Sequence, residues 1–156
     1  MKNIFRINQL QEISQWLKKS APSSARLISD SRVVESGDIF FAYPGKVTDG
    51  RTYISQALEN GASAILYEEE NFSWNNKWHC AHCAVNSLKR LSGFIAHAYY
   101  GYVNTNVLVV AVTGTNGKTS CAQWIGHTLS NLGQMTGIIG TLGINVYNRQ
   151  GQLSKT

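Results

Sequence analysis

The chain has 156 residues, of which 43% are hydrophobic and 15% are charged. That balance predicts a globular protein with a buried core and excludes an intrinsically disordered chain. No apolar run reaches the roughly 18 residues of a membrane-spanning helix, and the N-terminus lacks an apolar signal core, so we expect a cytoplasmic protein without membrane insertion.

The net charge of +5 is unevenly distributed along the chain. All nine acidic residues lie at or before Glu70, and the six basic residues that follow it are widely spaced. A nucleic-acid-binding surface needs basic residues that cluster on one face or along one helix. We therefore do not expect nucleic acid to be the partner of this chain.

Helix and strand patterns alternate through the first hundred residues, which predicts an α/β domain. Apolar residues at helical spacing indicate a first helix, and Thr52 could cap the second, which Gly61 would end. The predicted helices are 7–18, 52–60 and 87–100, and the predicted strands are 26–29, 39–43, 62–67 and 80–85. The best break follows Gly101, so we expect one domain over 1–104 and a second from 105 onwards.

The most informative stretch begins with the apolar run 107–112, which is rich in valine. Such a run is typical of a strand buried on both faces of a parallel sheet. It leads into Gly114 and Gly117, and a helical pattern starts at Lys118. Strand, glycine loop and helix in this order predict a phosphate-binding loop.

Each residue type in this loop suits a bound triphosphate. Glycines allow the backbone N–H groups to approach phosphate oxygens, and the start of the helix adds unpaired N–H groups. Lys118 would reach the β- and γ-phosphates, and the Thr119 hydroxyl would hold Mg²⁺. The alternative is a glycine turn with an incidental lysine, because Val112 stands where the general motif has its first glycine.

The second domain looks incomplete. After the loop helix, which Gly133 would end, only the strands 135–141 and 144–147 are predicted, too few for a doubly wound sheet. Phosphate-loop enzymes also use an acidic residue for magnesium, and none follows Glu70. We expect a small mixed α/β domain followed by the truncated start of a Rossmann-like, ATP-binding domain.

The cysteine and histidine residues between His79 and Cys83 could suggest a zinc site. Ligands packed this closely rarely complete a tetrahedron, and a second ligand pair is missing. We therefore expect buried cysteines in a strand. Three cysteines, an odd number, do not predict a disulfide framework.

The loop from Thr113 to Thr119, Thr-Gly-Thr-Asn-Gly-Lys-Thr, resembles the ATP loop of the Mur ligases, which build the peptide stem of the bacterial cell wall. That family also lacks the outer glycine. The resemblance implies that the following residues bind ATP: Gly114, Thr115, Asn116, Gly117, Lys118, Thr119 and Ser120. It implies ATP and Mg²⁺ as cofactors, with Thr119 on the metal and Lys118 stabilising the transferred phosphate.

The N-terminal motifs Asp30-Ser31-Arg32, 37–42 and 49–54 are similar to the UDP-binding domain of the same family. The resemblance implies that the UDP-sugar is contacted by Ser29, Ser31, Lys46, Val47 and Thr48. Two plainer interpretations stay open: Lys46 as a solvated loop lysine, and Ser31 as a turn-forming hydroxyl after an aspartate.

The resemblance further implies an ATP-dependent amide ligase that acts in peptidoglycan synthesis through an acyl phosphate. Its substrates would be UDP-N-acetylmuramoyl-L-alanyl-D-glutamate and a free third amino acid, with diaminopimelate favoured over lysine. We expect a monomer. We also expect the chain to be inactive by itself, because the family's acidic magnesium ligand and amine-binding domain would follow Thr156.

Three alternatives remain at this stage. The chain could belong to the family member that next adds D-alanyl-D-alanine, which shares the N-terminal motif. It could be a small nucleoside triphosphatase, although this requires an acid and a base after the loop. It could also be a non-catalytic UDP-sugar-binding module.

Overall fold

The computed structural model describes residues 2–102, 107–150 and 153–154, together with the side chains of all of these except 2–8 and 154. Contacts divide the chain into two compact units, Met1–Val107 and Leu108–Thr156. The boundary predicted after residue 104 falls in a segment outside the described residues and stays a prediction. No helix in the described ranges is long and apolar enough to cross a membrane.

The first unit is built on a parallel sheet of four strands, in the order β1-β2-β3-β4. The strands are β1 (Leu27–Ile28), β2 (Ile39–Ala42), β3 (Ala64–Glu68) and β4 (Ala81–Val85). Registers such as Phe40 opposite Ile65 and Ile65 opposite His82 align the carboxyl ends of the strands along one edge. The mixed α/β fold class is thereby confirmed.

Helices cover one face of this sheet and a mixture of helix and loop covers the other. Along β2, Ile39 and Phe41 pack with α1 (Lys2–Ser20) and α3 (Leu88–Tyr99). Phe40 and Ala42 point to the opposite side, where α2 (Ile54–Glu59) and aromatic residues of the 69–80 loop pack. Burial on both faces explains why β2 and β3 are nearly continuous apolar runs.

The helix predicted from Thr52 starts differently in the structure. Asp49 caps a 3₁₀ turn over Gly50–Tyr53, and α2 follows it at Ile54. Thr52 is not the cap; its hydroxyl donates to the Asp49 carbonyl at 2.7 Å. The predicted end is confirmed, since Gly61 follows the helix with φ of +93°.

The second unit consists of one long helix and an antiparallel sheet. Helix α4 runs over Lys118–Asn131, and the strands are β5 (Thr136–Gly140), β6 (Gly143–Tyr147) and β7 (Leu153–Ser154). They pair in the order β5-β6-β7. The helix end and the two predicted strands are confirmed, with Gly133 at φ of +82° after the helix.

The buried strand predicted over 107–112 is wrong. This run has no strand structure, and Leu108 and Val109 are 82% and 74% exposed. A buried parallel strand needs hydrogen-bonded neighbours on its edges and cover on both faces. Within the described residues no strand pairs with this run. Among the described residues of the second unit, the strands therefore form an antiparallel sheet and not the parallel sheet of a Rossmann-like domain.

Candidate functional sites

The phosphate-loop candidate turns at its two glycines. Gly114 has φ of +148° and Gly117 has φ of +77°, so both occupy the region that residues with a side chain rarely adopt. Gly117 stands directly before α4, and its carbonyl accepts from the Cys121 N–H at 2.9 Å. The first N–H groups of α4 have no partner within the helix, so they point towards the loop.

Lys118 folds back over this loop. Its ammonium donates to the Gly114 carbonyl at 2.7 Å and to the Thr115 carbonyl at 3.1 Å, and the residue is exposed. The positive charge thus lies at two carbonyls of the loop itself. An anion placed there would meet an ammonium, free N–H groups and the positive end of the helix dipole.

Thr119 is half-buried beside the loop, and its hydroxyl lies 3.1 Å from the Thr141 hydroxyl. A hydroxyl is a hard oxygen ligand, the type that Mg²⁺ prefers, and phosphate oxygens commonly supply further ligands. The donor set at the first turn of α4 therefore fits a metal-bound phosphate. No acidic residue occurs in the second unit, so the oxygen ligands that it offers are neutral ones such as this hydroxyl.

A close helix–strand contact fixes α4 against β5. A Cβ atom added to Gly126 would lie 2.4 Å from Cδ1 and 2.7 Å from Cγ1 of Ile138. Together with the run 108–112, these elements surround a cavity of about 450 Å³, which Lys118 and Thr119 also line. Glycine at position 126 thus lets α4 lie close to the strand that leads to Thr141.

In the first unit, the predicted UDP-contact residues lie after β1 and after β2. Ser29 is exposed directly beyond the end of β1. Ser31 is buried, and its hydroxyl donates to Gln56 Oε1 at 2.7 Å while its carbonyl accepts from the Asn60 side chain at 2.9 Å. The Ser31 hydroxyl therefore joins the turn after β1 to α2.

Lys46, Val47 and Thr48 form an exposed loop closed at its base. The Gly45 N–H donates to the Thr48 carbonyl at 2.7 Å, and the Gly50 N–H donates to the Tyr43 carbonyl at 3.0 Å. A Cβ on Gly45 would lie 2.7 Å from the Thr48 oxygen, so glycine is required there. Val47 is 95% exposed. The closed base presents all three side chains to solvent.

Two turns with the same hydrogen-bonding pattern directly follow Ser29 and the 46–48 loop. Asp30 and Asp49 each accept a hydrogen bond at 3.0 Å from the backbone N–H two residues later, and each pairs with the arginine at that position. The Asp30–Arg32 pair is exposed, and its hydrogen bonds lower the pKa of Asp30 to about 2.

The Asp49–Arg51 pair is far more enclosed. Arg51 donates to the carbonyl of Glu70 at 2.6 Å, and its guanidinium lies 5.0 Å from the centre of the Phe72 ring. The hydrogen bond from Arg51 also lowers the pKa of Asp49. This arginine connects the exposed 46–48 loop to the segment after β3.

The cysteine and histidine residues of 79–83 lie in β4 or just before it, and they do not converge. Side chains alternate along a strand, so Cys80 packs with one core cluster and Cys83 with the other. Burial raises the pKa of both thiols, which disfavours the thiolate that binds metal. His82 stacks on Trp74, with ring centres 3.9 Å apart. Among the described residues no three potential metal ligands cluster.

Sequence analysis did not single out three features that lie at or support the candidate sites: Thr141, the Asp49–Arg51 turn and Glu68. The available signal for Thr141 was its position at the end of the predicted strand 135–141, between Gly140 and Gly143. The Asp49–Arg51 turn repeats the spacing of Asp30–Arg32, and this repeat was the available signal. Nothing local indicated Glu68, whose carboxylate accepts from the N–H groups of Ser87 and Leu88 at 2.9 and 2.7 Å and so caps α3.

Comparison with known proteins gives matches over both units. The model for the Mur ligase family, catalytic domain, matches residues 26–100, and the Mur ligase middle domain matches residues 112–156. A UDP-N-acetylmuramoyl-L-alanyl-D-glutamate–2,6-diaminopimelate ligase from Janthinobacterium sp. (strain Marseille) is 48% identical over 149 residues, covering 96% of this chain and 29% of the relative. The ligase of the same name from Neisseria meningitidis is 42% identical and covers 79% of this chain and 25% of the relative.

Solved structures agree with these matches. The MurF ligase from Thermotoga maritima in complex with ADP has a TM-score of 0.54 and 31% identity, covering 70% of this chain and 24% of that one. The UDP-N-acetylmuramoylalanyl-D-glutamyl-2,6-diaminopimelate–D-alanyl-D-alanyl ligase from Acinetobacter baumannii has a TM-score of 0.64 and 30% identity, covering 92% of this chain and 31% of that one.

The parallel α/β unit and the glycine loop before α4 define an α/β protein with a glycine loop at a helix N-terminus. With both family models matched along most of its length, the chain belongs to the Mur ligase family. It spans less than a third of the length of the curated relatives above.

Proposed function

We propose that this chain is the part of an ATP-dependent amide ligase of peptidoglycan synthesis that binds the UDP-sugar substrate and ATP. The first unit would hold the UDP end of UDP-N-acetylmuramoyl-L-alanyl-D-glutamate, and the loop Gly114–Ser120 would hold ATP with Mg²⁺. The observation that carries the proposal is the loop geometry, in which two glycines with positive φ precede α4 and Lys118 Nζ lies 2.7 Å from the Gly114 carbonyl. The resemblance to the Janthinobacterium ligase supports the substrate assignment.

In this reaction ATP would phosphorylate the substrate carboxylate, and an amine would then displace phosphate from the acyl phosphate to form an amide. The chain's own residues would supply binding and charge. The N–H groups of 114–120 would cradle the phosphates, and Lys118 would exchange its two carbonyl contacts for phosphate oxygens. The Thr119 hydroxyl would offer a ligand to Mg²⁺.

The UDP end of the substrate would be held in the first unit by the exposed residues after β1 and β2. Ser29 and the loop of Lys46, Val47 and Thr48 present a hydroxyl, an ammonium and further polar groups to solvent. A diphosphate suits an ammonium beside a closed glycine loop. Ser31 would act through the turn that it holds against α2, because its hydroxyl already donates to Gln56.

Diaminopimelate is the proposed third amino acid, because the sequence relatives at 42–48% identity carry that ligase name. The second candidate is the D-alanyl-D-alanine-adding reaction, which the Acinetobacter structure favours at 30% identity. We give the first more weight, since its sequence identity is higher.

We further propose that the protein is monomeric and cytoplasmic. We also propose that the chain by itself does not catalyse ligation, because the second unit has no acidic residue for magnesium.

Calorimetric titration with UDP-N-acetylmuramoyl-L-alanyl-D-glutamate tests the substrate assignment. Lys46→Ala should weaken binding about tenfold, as expected for loss of one charge-assisted hydrogen bond. Lys77→Ala, which removes another exposed loop lysine, serves as the matched control and should bind like wild type. The assignment fails if the folded chain binds nothing at millimolar ligand, or if Lys46→Ala binds as tightly as wild type.

A chimera tests the activity. In it, this chain replaces the matching 29% of the Janthinobacterium ligase, and product is measured with diaminopimelate, lysine or D-alanyl-D-alanine as the amine. We expect diaminopimelate to be joined in an ATP-dependent reaction that Lys118→Ala abolishes. Because the amine site of the chimera comes from the relative, the chimera tests the ATP-dependent reaction and not the choice of amine.

A further inference from the structure

Two hydroxyl groups that are distant in sequence meet beside the phosphate loop. Thr119 Oγ1 and Thr141 Oγ1 lie 3.1 Å apart, although 22 positions separate the residues. Both residues line the cavity between α4 and β5. Thr119 is half-buried and Thr141 is exposed, so the contact lies at the rim of the cavity, where a ligand has access.

The backbone on each side fixes this contact. Thr141 lies in the two-residue connection between β5 and β6, because Gly140 pairs with Gly143, and Gly143 follows this connection with φ of +91°. Thr119 lies in the first turn of α4, which the close approach of Gly126 to Ile138 holds against the same hairpin. The distance between the hydroxyls is therefore set by two packed elements.

The contact between the two hydroxyls can fix the direction in which the Thr119 proton points. A threonine hydroxyl has one proton to donate and two lone pairs, and in a helix its rotamer varies because it can also bond to a backbone carbonyl. A hydroxyl that coordinates a cation must present a lone pair and direct its proton elsewhere. An acceptor at the position of Thr141 would take that proton and select one rotamer.

We propose that Thr141 is a positioning residue for the magnesium-binding hydroxyl of Thr119. Its oxygen accepts the Thr119 proton, so that a Thr119 lone pair faces the metal that accompanies the nucleotide. The inference rests on the proposed ATP-binding function of the loop. It extends that function from the loop itself to the hairpin turn after β5.

The test compares ATP affinity in Mg²⁺ with ATP affinity in EDTA, by calorimetry on the whole chain. Thr141→Val removes the hydroxyl while keeping the shape, and it should reduce the gain in affinity from Mg²⁺ by about tenfold, the size expected for one lost contact to a charged centre. Affinity in EDTA should not change. Thr141→Ser retains the hydroxyl and should restore most of the gain. A merely structural role would weaken ATP binding in both conditions.

Two controls separate the possible failures. Thr136→Val makes the same substitution at the start of β5, the strand that leads to Thr141, and should behave like wild type, because the Thr136 hydroxyl bonds to the Gln134 carbonyl instead. Lys118→Ala should weaken ATP binding in both conditions. The inference is overturned if Thr141→Val keeps the full Mg²⁺ gain, loses affinity equally in both conditions, or matches Thr141→Ser. If Lys118→Ala weakens binding while Thr141→Val has no effect, only the inference fails; if wild type does not bind ATP, the proposed function fails with it.

Discussion

Arg51 and Arg32 hold equivalent positions in two Asp-x-Arg turns but differ in burial. The Arg51 side chain is 9% exposed and that of Arg32 is 79% exposed. Arg51 also bonds to the carbonyls of Glu68 and Glu70, whereas the Arg32 guanidinium pairs with Asp30. The same sequence motif therefore stabilises the fold in the turn of Arg51, whereas in the turn of Arg32 the arginine is exposed to solvent.

Arg51→Ala should lower the free energy of unfolding by about 2–3 kcal/mol, because it leaves Asp49 and two carbonyls without their partner. Arg32→Ala is the matched control and should change it by less than about 0.5 kcal/mol. Urea denaturation followed by tryptophan fluorescence measures both. Equal effects of the two substitutions would contradict the role of burial.

Asp38 should make stability depend on pH. Its buried carboxylate accepts from the Arg26 guanidinium at 2.6 Å and from the Glu35 N–H at 2.9 Å, and the Arg26 hydrogen bond lowers its pKa below the ordinary 3.8. A depressed pKa stabilises the fold above the unfolded-state pKa, and this contribution is lost as the pH falls through the folded-state value.

We therefore expect stability to fall as the pH drops below about 4. In Asp38→Asn the fall should be shallower, and the protein should be less stable near neutral pH. Thermal melting between about pH 7 and pH 2 measures this. Wild-type and variant curves that remain parallel over the whole range would show that Asp38 does not contribute.

For single residues, the sequence predicted residue types better than residue roles. The glycines and Lys118 were predictable, because a phosphate loop needs those types at that spacing. The burial of Ser31 was not, since its partner Gln56 lies 25 positions away. Glu68 was missed for the same reason: the cap that it provides for α3 comes from a neighbouring strand rather than from the helix sequence.

At the scale of elements, α4 and β5 depend on a glycine inside a helix. Glycine normally costs a helix roughly 0.5–1 kcal/mol relative to alanine. Gly126 is buried, and a Cβ there would overlap Ile138, so the ordinary preference should reverse. Gly93 in α3 provides the comparison, because a Cβ atom added to it would have no neighbouring atom within 4 Å.

Gly126→Ala should destabilise the second unit by about 1–2 kcal/mol through overpacking. Gly93→Ala should stabilise the first unit by about 0.5–1 kcal/mol through its higher helix propensity. Hydrogen exchange resolved by segment measures the two units separately. Stabilisation by Gly126→Ala would show that α4 does not lie this close to β5.

The local sequence pattern predicted strands correctly where the strands that pair with them are present. Strands β2 and β3 were predicted from continuous apolar runs, and each pairs with strands on both edges. The run 107–112 has the same composition but is exposed and unpaired among the described strands. A sequence run can indicate that a strand is favoured, but pairing depends on other segments, which the pattern does not report.

At the scale of the whole molecule, two units bear the two candidate sites. The first unit presents the loop at 46–48, and the second presents the phosphate loop and the contact between Thr119 and Thr141. The family models divide in a similar way, with one match over 26–100 and the other over 112–156. This division agrees with the proposal that the sugar nucleotide and ATP bind to separate parts of the chain.

The loop Gly114–Ser120 is proposed to bind the phosphates of ATP, and titration of the whole chain with ATP and Mg²⁺ measures this binding. We predict measurable binding in wild type, a loss of at least about tenfold in Lys118→Ala, and wild-type affinity in Lys89→Ala, which removes an exposed lysine from α3. Circular dichroism confirms that each variant is folded. Equal affinity of wild type and Lys118→Ala, or no binding by the folded wild type at millimolar ATP, would contradict the account.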